Sequence, residues 1–507
     1  MQLSPPRSRG LSLREVLPEG RLFGSDDIRI SSCSGHFEDC RPGDLYTALV
    51  NPEGDGHDVA DEAVARGAAA VLAERILPVR VPTCIVEDSR EAYGRVCQAL
   101  AGRPSSRLCT IGVTGTLGKT TVGILVASIL EVAGCNPGMI GSLGAHDSLA
   151  TSKVSEATPP APELAAWAAR LANAGGTHAV VEAASTALAQ RRLAGFDFDI
   201  AVLTNLRRDH LEYHGSLVNY RAAKARLFER LKPGGMAVIN ADDAASQRLL
   251  AKLNVPVLTI GMREEAEVMA TSVERHLAEQ TFLLQAGHET VPVHTRMVGD
   301  HHIYNCLSAA AVGLGLGIDL VTIARGLEAI EQVPGRLERI ECGQPFGTFV
   351  DYARTPEALA ASLKALRPLT TGRLVCVMGG TELHTREHRS LLGKAMEKYA
   401  DLGLITTDNP GHEDPHQLAH DVLDGFDQPS QAHLIPDRGR AIRWALEQAK
   451  EGDTVIIAGK GNELGQRING RVREFDDRAT VRRLLYAMAE SEGPKLYRGK
   501  PEMDNSN

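Results

Sequence analysis

The stretch GVTGTLGKTT (112–121) contains a glycine-rich turn and a Lys-Thr pair, two features that bind phosphate groups in proteins. Gly115 and Gly118 allow the backbone to approach an anion closely, and the first N–H groups of a following helix point toward it. Lys119 can pair with the β- and γ-phosphates, and the hydroxyl of Thr120 can reach Mg²⁺. The pattern therefore predicts a nucleotide-binding loop that consists of Gly115, Thr116, Gly118, Lys119, Thr120 and Thr121.

Two positions of this loop are unusual. Val113 stands at the first glycine position of the common pattern G-x-x-x-x-G-K-[ST], and Leu117 occupies the tip of the loop. A structural turn that only resembles a phosphate loop is the alternative at this point.

The segments around the loop predict the elements that must position it. LCTIGVTG (108–115) is typical of a buried strand, and TTVGILVASILEVAG (120–134) of an amphipathic helix that Gly134 closes. Strands alternate with helices through HAVVEAAS (178–185) and IAVLTNL (200–206). This alternation predicts an α/β fold with a mostly parallel sheet.

A chain of 507 residues predicts roughly two to four domains. Linkers and breaks divide it into an N-terminal domain (1–103), a central domain (104–334), a C-terminal α/β domain (335–490) and a polar tail (491–507). Within the first domain, DVADEAVARGAAAVLAE (58–74) predicts one helix.

Composition excludes several classes of protein. A net charge of −9 argues against a non-specific nucleic-acid binder, and nine cysteines without a C-x-x-C pair argue against a zinc ribbon or a disulfide framework. The sequence contains no run of about 18 apolar residues, so no membrane span is predicted. The first residues lack the apolar core of a secretory signal. We expect a cytoplasmic protein without membrane insertion and without a nucleic-acid partner.

Longer motifs point to a family. TNLRRDHLEYHGSLVNYRAAKARLF (204–228), VPGRLERI (333–340), VDYARTPEAL (350–359), TTDNPGHEDP (406–415) and IAGKGNELGQ (457–466) together resemble the Mur ligases. These are ATP-dependent enzymes that add amino acids to the UDP-sugar precursor of peptidoglycan. The match is strongest to the MurE branch, which adds the third residue, usually meso-diaminopimelate or L-lysine. The resemblance implies a UDP-sugar-binding first domain, a central P-loop ATPase domain and a C-terminal Rossmann-like domain.

The resemblance also implies a catalytic set. Glu182 and His210 match metal ligands of the family, Lys224 matches a lysine that CO₂ carbamylates, and Lys119 and Thr120 belong to the phosphate loop. Taken singly, Glu182 or His210 could be a satisfied polar group and Lys224 a solvated helix lysine.

Binding residues follow from the same resemblance. The nucleotide side matches at Asn305, Arg336, Asp351 and Tyr352, although Arg336 could also be a surface charge at a helix end. The substrate side matches at Thr158, Pro159, Ser185, Gln190, Arg192, Asp408, Asn409, Gly459 and Glu463.

The departures from the family pattern concentrate in substrate-binding motifs. Ala184 and Thr186 replace a serine and a histidine, Arg354 replaces a histidine, and Gly411 replaces the arginine of the motif that recognises diaminopimelate. A glycine cannot supply the bidentate contact of a guanidinium to a carboxylate. The sequence therefore leaves the amino acid open.

The predicted function is an ATP- and Mg²⁺-dependent carboxylate–amine ligase that acts through an acyl phosphate, as a monomer, on a UDP-muramyl-peptide-like substrate and an amino acid. Alternatives are a ligase with a non-standard substrate, a weak or inactive paralogue that acts as a binding or regulatory protein, and another member of the superfamily such as folylpolyglutamate synthase. A histidine-rich metal sensor at His301, His302, His384 and His388 is a further alternative.

Overall fold

The computed structural model describes residues 10–51, 54–147 and 150–491, and the chain divides into two units. One unit holds the described residues up to Thr271 together with Leu283–Val293 and Ile303–Ala329. The other unit holds Ser272–Phe282, His294–His302 and the described residues from Ile330 onward. The predicted polar tail lies, apart from Ser491, outside the described residues, as does most of the chain start. The predicted domain boundaries at 103 and 334 stay predictions.

The N-terminal part of the first unit is built on a small sheet. Its elements are β1 (Leu11–Ser12), α1 (Leu13–Val16), β2 (Arg21–Phe23), β3 (Arg29–Ile30), β4 (Cys33–Ser34), β5 (Leu45–Thr47), β6 (Val50–Asn51), β7 (Gly54–Asp55), α2 (Ala60–Ala65), β8 (Ala70–Ala73), β9 (Thr83–Ile85) and α3 (Ser89–Leu100). The strand order is β2-β9-β8-β5-β4, and only the β2–β9 pairing within the described residues of this sheet is antiparallel.

The single helix predicted over 58–74 is wrong, because the segment contains α2 followed by β8. Gly67 has φ +107°, and the Ala68 N–H donates to the Ala63 carbonyl at 3.1 Å. This is the hydrogen-bond pattern of a glycine-terminated helix. The alanine-rich run after Gly67 is therefore free to enter the sheet.

The elements that follow contain the phosphate loop. They are β10 (Cys109–Thr114), α4 (Lys119–Val132), β11 (Pro137–Gly141), β12 (Gly144–His146), β13 (Thr151–Ser152), α5 (Ala161–Asn173), β14 (His178–Glu182), α6 (Ser185–Ala189), β15 (Phe198–Leu203), α7 (Leu211–His214), α8 (Leu217–Ala225), β16 (Leu231–Asn240), α9 (Ala244–Leu250), β17 (Val257–Gly261), β18 (Val268–Arg275), β19 (Gln280–Ala286), β20 (Glu289–Thr295), α10 (Asp300–Gly315) and α11 (Leu320–Glu328).

Their strands form one sheet in the order β13-β12-β11-β14-β10-β15-β16-β17-β18-β19-β20. The pairings from β11 through β18 are parallel. Ile111, Val113, Val180 and Val202 are fully buried on these strands, as expected for parallel strands covered by helices on both faces. The carboxyl ends of β11, β14, β10 and β15 consequently lie at one edge, and the predicted loop between β10 and α4 is at that edge.

The C-terminal part repeats this architecture in the second unit. Its elements are β21 (Glu338–Arg339), β22 (Gly347–Asp351), α12 (Pro356–Leu366), β23 (Leu374–Gly380), α13 (Arg386–Tyr399), β24 (Leu402–Thr407), α14 (Pro415–Leu423), β25 (Ala432–Leu434), α15 (Arg438–Gln448), β26 (Thr454–Ala458), β27 (Gly465–Ile468), β28 (Arg471–Glu474) and α16 (Asp477–Ser491). The sheet order is β21-β22-β26-β23-β24-β25, with parallel pairing from β22 to β25. The α/β fold class predicted from the sequence is confirmed.

Among the described helices, none is both long enough and apolar enough to cross a membrane.

Candidate functional site

The loop between β10 and α4 depends on two glycines. Gly115 has φ +145°, and a Cβ there would lie 1.8 Å from the Thr204 Oγ1. Gly118 has φ +89°, and a Cβ there would lie 2.3 Å from the Asn305 Oδ1. Any side chain at either position would meet both backbone strain and a collision. Asn305, a predicted nucleotide-binding residue on α10, thus packs directly against the loop.

The tip of the loop is held through its backbone. The Leu117 N–H donates to the Asn205 Oδ1 at 3.1 Å, and its carbonyl accepts from the Thr204 hydroxyl at 2.6 Å and from the Asn205 Nδ2 at 3.0 Å. The Leu117 side chain takes no part in this clamp. Sequence reasoning missed Thr204 and Asn205, and the available signal was their position directly after the central strand β15.

Lys119 and Lys224 meet at the same acceptor. The Lys119 Nζ donates to the carbonyls of Gly115 at 3.0 Å and Thr116 at 3.1 Å, and the Lys224 Nζ donates to the Gly115 carbonyl at 2.7 Å. The structure therefore brings a lysine from α8 to the phosphate loop, although more than a hundred residues separate them in sequence.

Lys224 is not the solvated helix lysine of the alternative interpretation. Its side chain is 1% exposed, and its Nζ lies 4.8 Å from the centre of the Tyr220 ring. Burial lowers the pKa of Lys224 well below its ordinary value, the nearby Lys119 lowers it further, and Asp209 opposes the shift. The amine is therefore biased toward its neutral, nucleophilic form, which is the form that reacts with CO₂.

A chain of hydrogen bonds joins Thr120 to Glu182. The Thr120 and Ser142 hydroxyl oxygens are 2.8 Å apart, and the Ser142 N–H donates to the Glu182 Oε1 at 3.0 Å. A Cβ on Gly141 would lie 2.2 Å from that carboxylate oxygen, so only glycine leaves room for it. Ser142, another residue that sequence reasoning missed, follows β11 at the same sheet edge.

These oxygens fit a divalent cation. Glu182 is 1% exposed, and no lysine, arginine or histidine in the described ranges forms an ion pair with it. A buried carboxylate without a cation is costly, and hydroxyl and carboxylate oxygens are the ligands that Mg²⁺ prefers. Thr120 and Glu182 could therefore hold the metal.

His210, the other predicted metal ligand, contacts two neighbouring carboxylates. It precedes α7 with φ +49°, and its half-exposed ring contacts the Glu212 carboxylate at 3.2 Å and the Asp209 carboxylate at 3.6 Å. Among the described residues, no group of three histidine, cysteine or acidic side chains is placed to hold a metal ion. The metal role of His210 stays a prediction.

The predicted peptide-binding residues surround the loop after β14. The Thr158 hydroxyl donates to the Glu182 carbonyl at 2.5 Å and accepts from the Ala184 N–H at 2.9 Å. The Arg192 guanidinium donates to the Thr158 carbonyl at 2.9 Å and to the Gln190 Oε1 at 2.8 Å. It also forms an ion pair with Glu156. Pro159 is buried next to Thr158. The Ser185 hydroxyl lies 3.1 Å from the His214 Nε2. The structure thus groups Thr158, Pro159, Gln190 and Arg192 beside the Glu182 backbone.

Within the second unit, Tyr352 lies between two guanidinium groups. Arg336 lies 4.3 Å and Arg354 4.4 Å from the centre of its ring. Arg336 is therefore a packed cation and not a surface charge at a helix end. Asp351 accepts from the N–H groups of Leu337 at 3.0 Å and of Tyr352 at 2.8 Å, so its carboxylate fixes the loop that presents the ring.

The residues predicted to bind the incoming amino acid form one polar cluster. The Lys460 Nζ donates to the Glu463 carboxylate at 3.0 Å and lies within 3.4 Å of the Asp408 and Asn409 side-chain oxygens. Burial raises the pKa of Glu463, but the charges of Arg354 and Lys460 outweigh burial and hold this pKa below its ordinary value. A Cβ on Gly459, at φ +108°, would lie 3.0 Å from the Asp408 carboxylate. Sequence reasoning missed Lys460, although its Gly-Lys-Gly setting at the end of β26 was a signal.

Two family patterns match the chain. The Mur ligase middle domain matches residues 113–313, and the Mur ligase, glutamate ligase domain matches residues 335–461.

Individual proteins show the same similarity. A protein of Geobacillus kaustophilus named UDP-N-acetylmuramoyl-L-alanyl-D-glutamate–2,6-diaminopimelate ligase is 41% identical over 87% of this chain and 91% of its own length. A solved structure with the same ligase name is 31% identical, covers 95% of this chain and 99% of its own, and has a TM-score of 0.68. The MurF ligase of Thermotoga maritima in complex with ADP is 20% identical over 91% of this chain and 97% of its own, with a TM-score of 0.60, and shows the fold alone. The resemblance stated from the sequence motifs is confirmed.

Proposed function

Because this chain belongs to the Mur ligase family, we propose that it joins an amino acid to the carboxylate of UDP-N-acetylmuramoyl-L-alanyl-D-glutamate, or of a related precursor, in peptidoglycan synthesis. The observation that supports this proposal most is the phosphate loop, where Lys119 and Lys224 share the Gly115 carbonyl. At the same sheet edge, Ser142 connects Thr120 to Glu182. The groups that we propose for phosphate binding and for metal binding thus lie at one edge of the sheet.

ATP supplies the phosphoryl group that activates the carboxylate. A carboxylate oxygen forms a bond to the γ-phosphorus as the bond to ADP breaks, and the amine then displaces phosphate from the acyl carbon and loses a proton. The protein must therefore bind the triphosphate, neutralise its charge and keep the amine close to the acyl group.

Residues of the first unit fit the first two of these tasks. The N–H groups at the start of α4 and the Lys119 ammonium would bind the phosphates. Mg²⁺, when bound, neutralises charge on the transferring phosphoryl group, and Thr120, Glu182 and His210 are its proposed ligands. The neutral Lys224 amine would attack CO₂ and lose a proton, and the resulting carbamate would provide a carboxylate-like group beside the loop.

Residues of the second unit fit further contacts to the nucleotide and the binding of the amine. Arg336, Tyr352 and the loop fixed by Asp351 are the residues of this unit that we propose to contact the nucleotide. Asp408, Asn409 and Glu463 would bind the incoming amino acid. The Glu463 carboxylate, kept ionised by Arg354 and Lys460, is suited to hold an ammonium group.

Release of ADP in the presence of ATP, UDP-muramyl-dipeptide and a panel of amino acids tests the proposal. Wild-type protein should release ADP over many turnovers only when all three substrates are present, and Lys119→Ala or Glu182→Ala should lose nearly all turnover. Lys252→Ala, an exposed lysine in the first unit, is the matched control and should keep full activity. Absence of turnover with every amino acid would favour the alternative of a binding or regulatory protein.

We also propose that the protein acts in the cytoplasm, in keeping with a nucleotide-linked substrate. We propose in addition that it is a monomer. Light scattering after size exclusion should give a mass near 54.4 kDa.

A further inference from the structure

Two cysteine thiols face each other in the N-terminal part of the first unit. Cys33 lies on β4, an edge strand of the small sheet, and Cys97 lies on α3. Their Sγ atoms are 3.7 Å apart, although the two positions are separated by 64 residues in sequence. Opposed cysteines on neighbouring elements at this distance need only small side-chain rotations to reach the geometry of a disulfide. Cys33 and Cys97 therefore form a thiol pair that an oxidant can join.

The two thiols differ in their access to solvent. Cys33 is partly exposed, whereas Cys97 is only 5% exposed. The hydrogen bond to Cys33, together with burial, raises the pKa of the Cys97 thiol, so Cys97 stays protonated. A small oxidant in water consequently reaches Cys33 first, because reactivity follows exposure and thiolate character. Cys97 is then the adjacent thiol that completes the bond.

Helix α3 packs against α5, which follows a predicted peptide-binding segment. Cys97 belongs to a small buried cluster with Ala161 and Ala165 of α5. The partly buried Cys33 packs against the same cluster. Helix α5 starts shortly after Thr158, whose hydroxyl and carbonyl bond to other residues of the predicted peptide site. The thiol pair is thus in contact with the helix that continues from this segment.

A second contact joins α3 to the other predicted peptide-binding segment. A Cβ on Gly94 of α3 would lie 2.7 Å from the Ala194 Cβ, and a Cβ on Gly195 would lie 2.9 Å from the Arg95 Cα. Ala194 and Gly195 follow Arg192, which is predicted to bind the peptide. Because these surfaces touch without a gap, an adjustment of α3 is transmitted to the segment that follows Arg192.

We propose that Cys33 and Cys97 are a site of reversible oxidation, at which a hydroperoxide joins them in a disulfide that weakens binding of the UDP-muramyl-peptide. The effect on the peptide rests on the function proposed above, whereas formation of the disulfide does not. Disulfides of proteins in a reducing cytoplasm are usually transient and belong to catalytic or redox-sensing sites. The pair would accordingly lower the use of the precursor while oxidant is present.

The oxidation proceeds in two steps. The Cys33 sulfur attacks one oxygen of hydrogen peroxide, the O–O bond breaks, and the leaving hydroxide takes the thiol proton as water, which leaves a sulfenic acid. The Cys97 sulfur then attacks the Cys33 sulfur, the S–O bond breaks, and hydroxide leaves with the Cys97 proton as a second water. The two thiols lose two electrons and two protons in total, which reduce the peroxide to two waters. Exchange with a dithiol restores both thiols and oxidises the dithiol.

Peptide mass spectrometry of the full chain after peroxide treatment and alkylation tests the bond itself. We expect a linked pair of peptides that contains Cys33 and Cys97, lacks two hydrogen atoms relative to the reduced peptides and disappears with dithiothreitol. Cys342→Ala, which removes a partly exposed thiol of the second unit, is the matched control and should form the same link. Oxidised wild-type protein without this link would overturn the proposal.

Calorimetric titration of UDP-N-acetylmuramoyl-L-alanyl-D-glutamate tests the consequence for binding. The Kd of the cross-linked wild type should exceed that of the reduced protein by about tenfold or more, the effect of losing one hydrogen bond to a charged group, and should recover with dithiothreitol. Cys33→Ala should bind equally well before and after peroxide treatment. An equal Kd for reduced and cross-linked wild type, or the same loss of affinity in Cys33→Ala, would show that the disulfide does not control binding.

This titration needs no turnover, so it separates the inference from the proposed function. Binding that the disulfide weakens, without release of ADP in the presence of any amino acid, would refute the ligase activity and support the oxidation site. Ligase turnover with a Kd that cross-linking leaves unchanged would support the ligase activity and refute control by the thiol pair. Failure of either form to bind the precursor would refute both.

Discussion

At Gly118 the backbone has φ +89°, and the Asn305 Oδ1 fills the position of a Cβ. Gly134, at the end of α4, has φ +78° with nothing within 4 Å of such a Cβ. A side chain at either glycine would therefore strain the backbone. Only a side chain at Gly118 would also collide with a neighbouring residue. Substitution at the two positions can separate strain from loss of the nucleotide-binding geometry.

We expect Gly134→Ala to lower the free energy of unfolding by about 1–3 kcal/mol through strain and to leave ATP binding unchanged. Gly118→Ala should in addition displace Asn305 and raise the KM for ATP, by about 10²-fold if the loop moves by an ångström. Urea unfolding and ADP-release kinetics measure the two effects. Equal KM values for the two variants would show that the Gly118–Asn305 contact does not shape the site.

Lys224 makes the stability of the protein depend on pH. Its pKa in the folded protein is lowered chiefly by burial, whereas in the unfolded chain it is near the ordinary lysine value of about 10.4. Between these two pKa values the unfolded chain binds more protons, so the contribution of Lys224 to stability rises with pH.

In CO₂-free buffer, the free energy of unfolding of the wild type should rise relative to Lys224→Met through this window, by up to about 1.4 kcal/mol per pH unit. The exposed Lys252→Met serves as control and should give curves parallel to the wild type. Parallel curves for Lys224→Met would show that the lysine is charged in the folded protein.

At the scale of elements, the end of β15 determines the shape of the neighbouring loop. Thr204 and Asn205 hold the backbone of Leu117, while the Leu117 side chain makes no part of the clamp. A leucine at the tip is therefore compatible with a functional phosphate loop, because the loop conformation depends on the adjacent strand.

Asn205→Ala should accordingly raise the KM for ATP about tenfold, since it removes two hydrogen bonds to the loop backbone. Leu117→Ala should change the KM by less than about threefold. Asn219→Ala, which removes a similar amide-to-backbone bond at His214, is the control for loss of an asparagine elsewhere in the first unit. If Leu117→Ala is the more damaging variant, the side chain at the tip and not the clamp supports the site.

At the scale of the whole molecule, the local sequence was sufficient to predict those functional residues that lie within a single turn. The strand, glycine turn and helix around Lys119 were predictable because all their determinants are adjacent in sequence. The α/β class followed similarly from the alternation of buried strands and helices. The helix predicted over 58–74 failed because apolar periodicity alone does not distinguish a short buried strand from a helix after Gly67.

Contacts between distant segments could not be predicted in this way. Burial of Lys224 depends on how α8 packs against a loop that begins near residue 115, and helical spacing alone favours a solvated lysine. The loop at Gly411 is likewise held by hydrogen bonds to a hairpin that lies more than fifty residues later in the chain. From the sequence, glycine at 411 predicted only that an arginine contact is lost. The proximity of Arg467 to Gly411 depends on how β27 packs against that loop, which the sequence does not show.

The central claim is that the protein activates a carboxylate by phosphorylation and then forms an amide. The most direct test supplies UDP-N-acetylmuramoyl-L-alanyl-D-glutamate labelled with ¹⁸O in its carboxylates, together with ATP and diaminopimelate, and analyses both products by mass spectrometry. We predict an amide product that has the combined mass of the two substrates minus one molecule of ¹⁸O-labelled water, and released phosphate that contains one ¹⁸O atom. Unlabelled phosphate, or ATP hydrolysis without the amide product, would contradict the account.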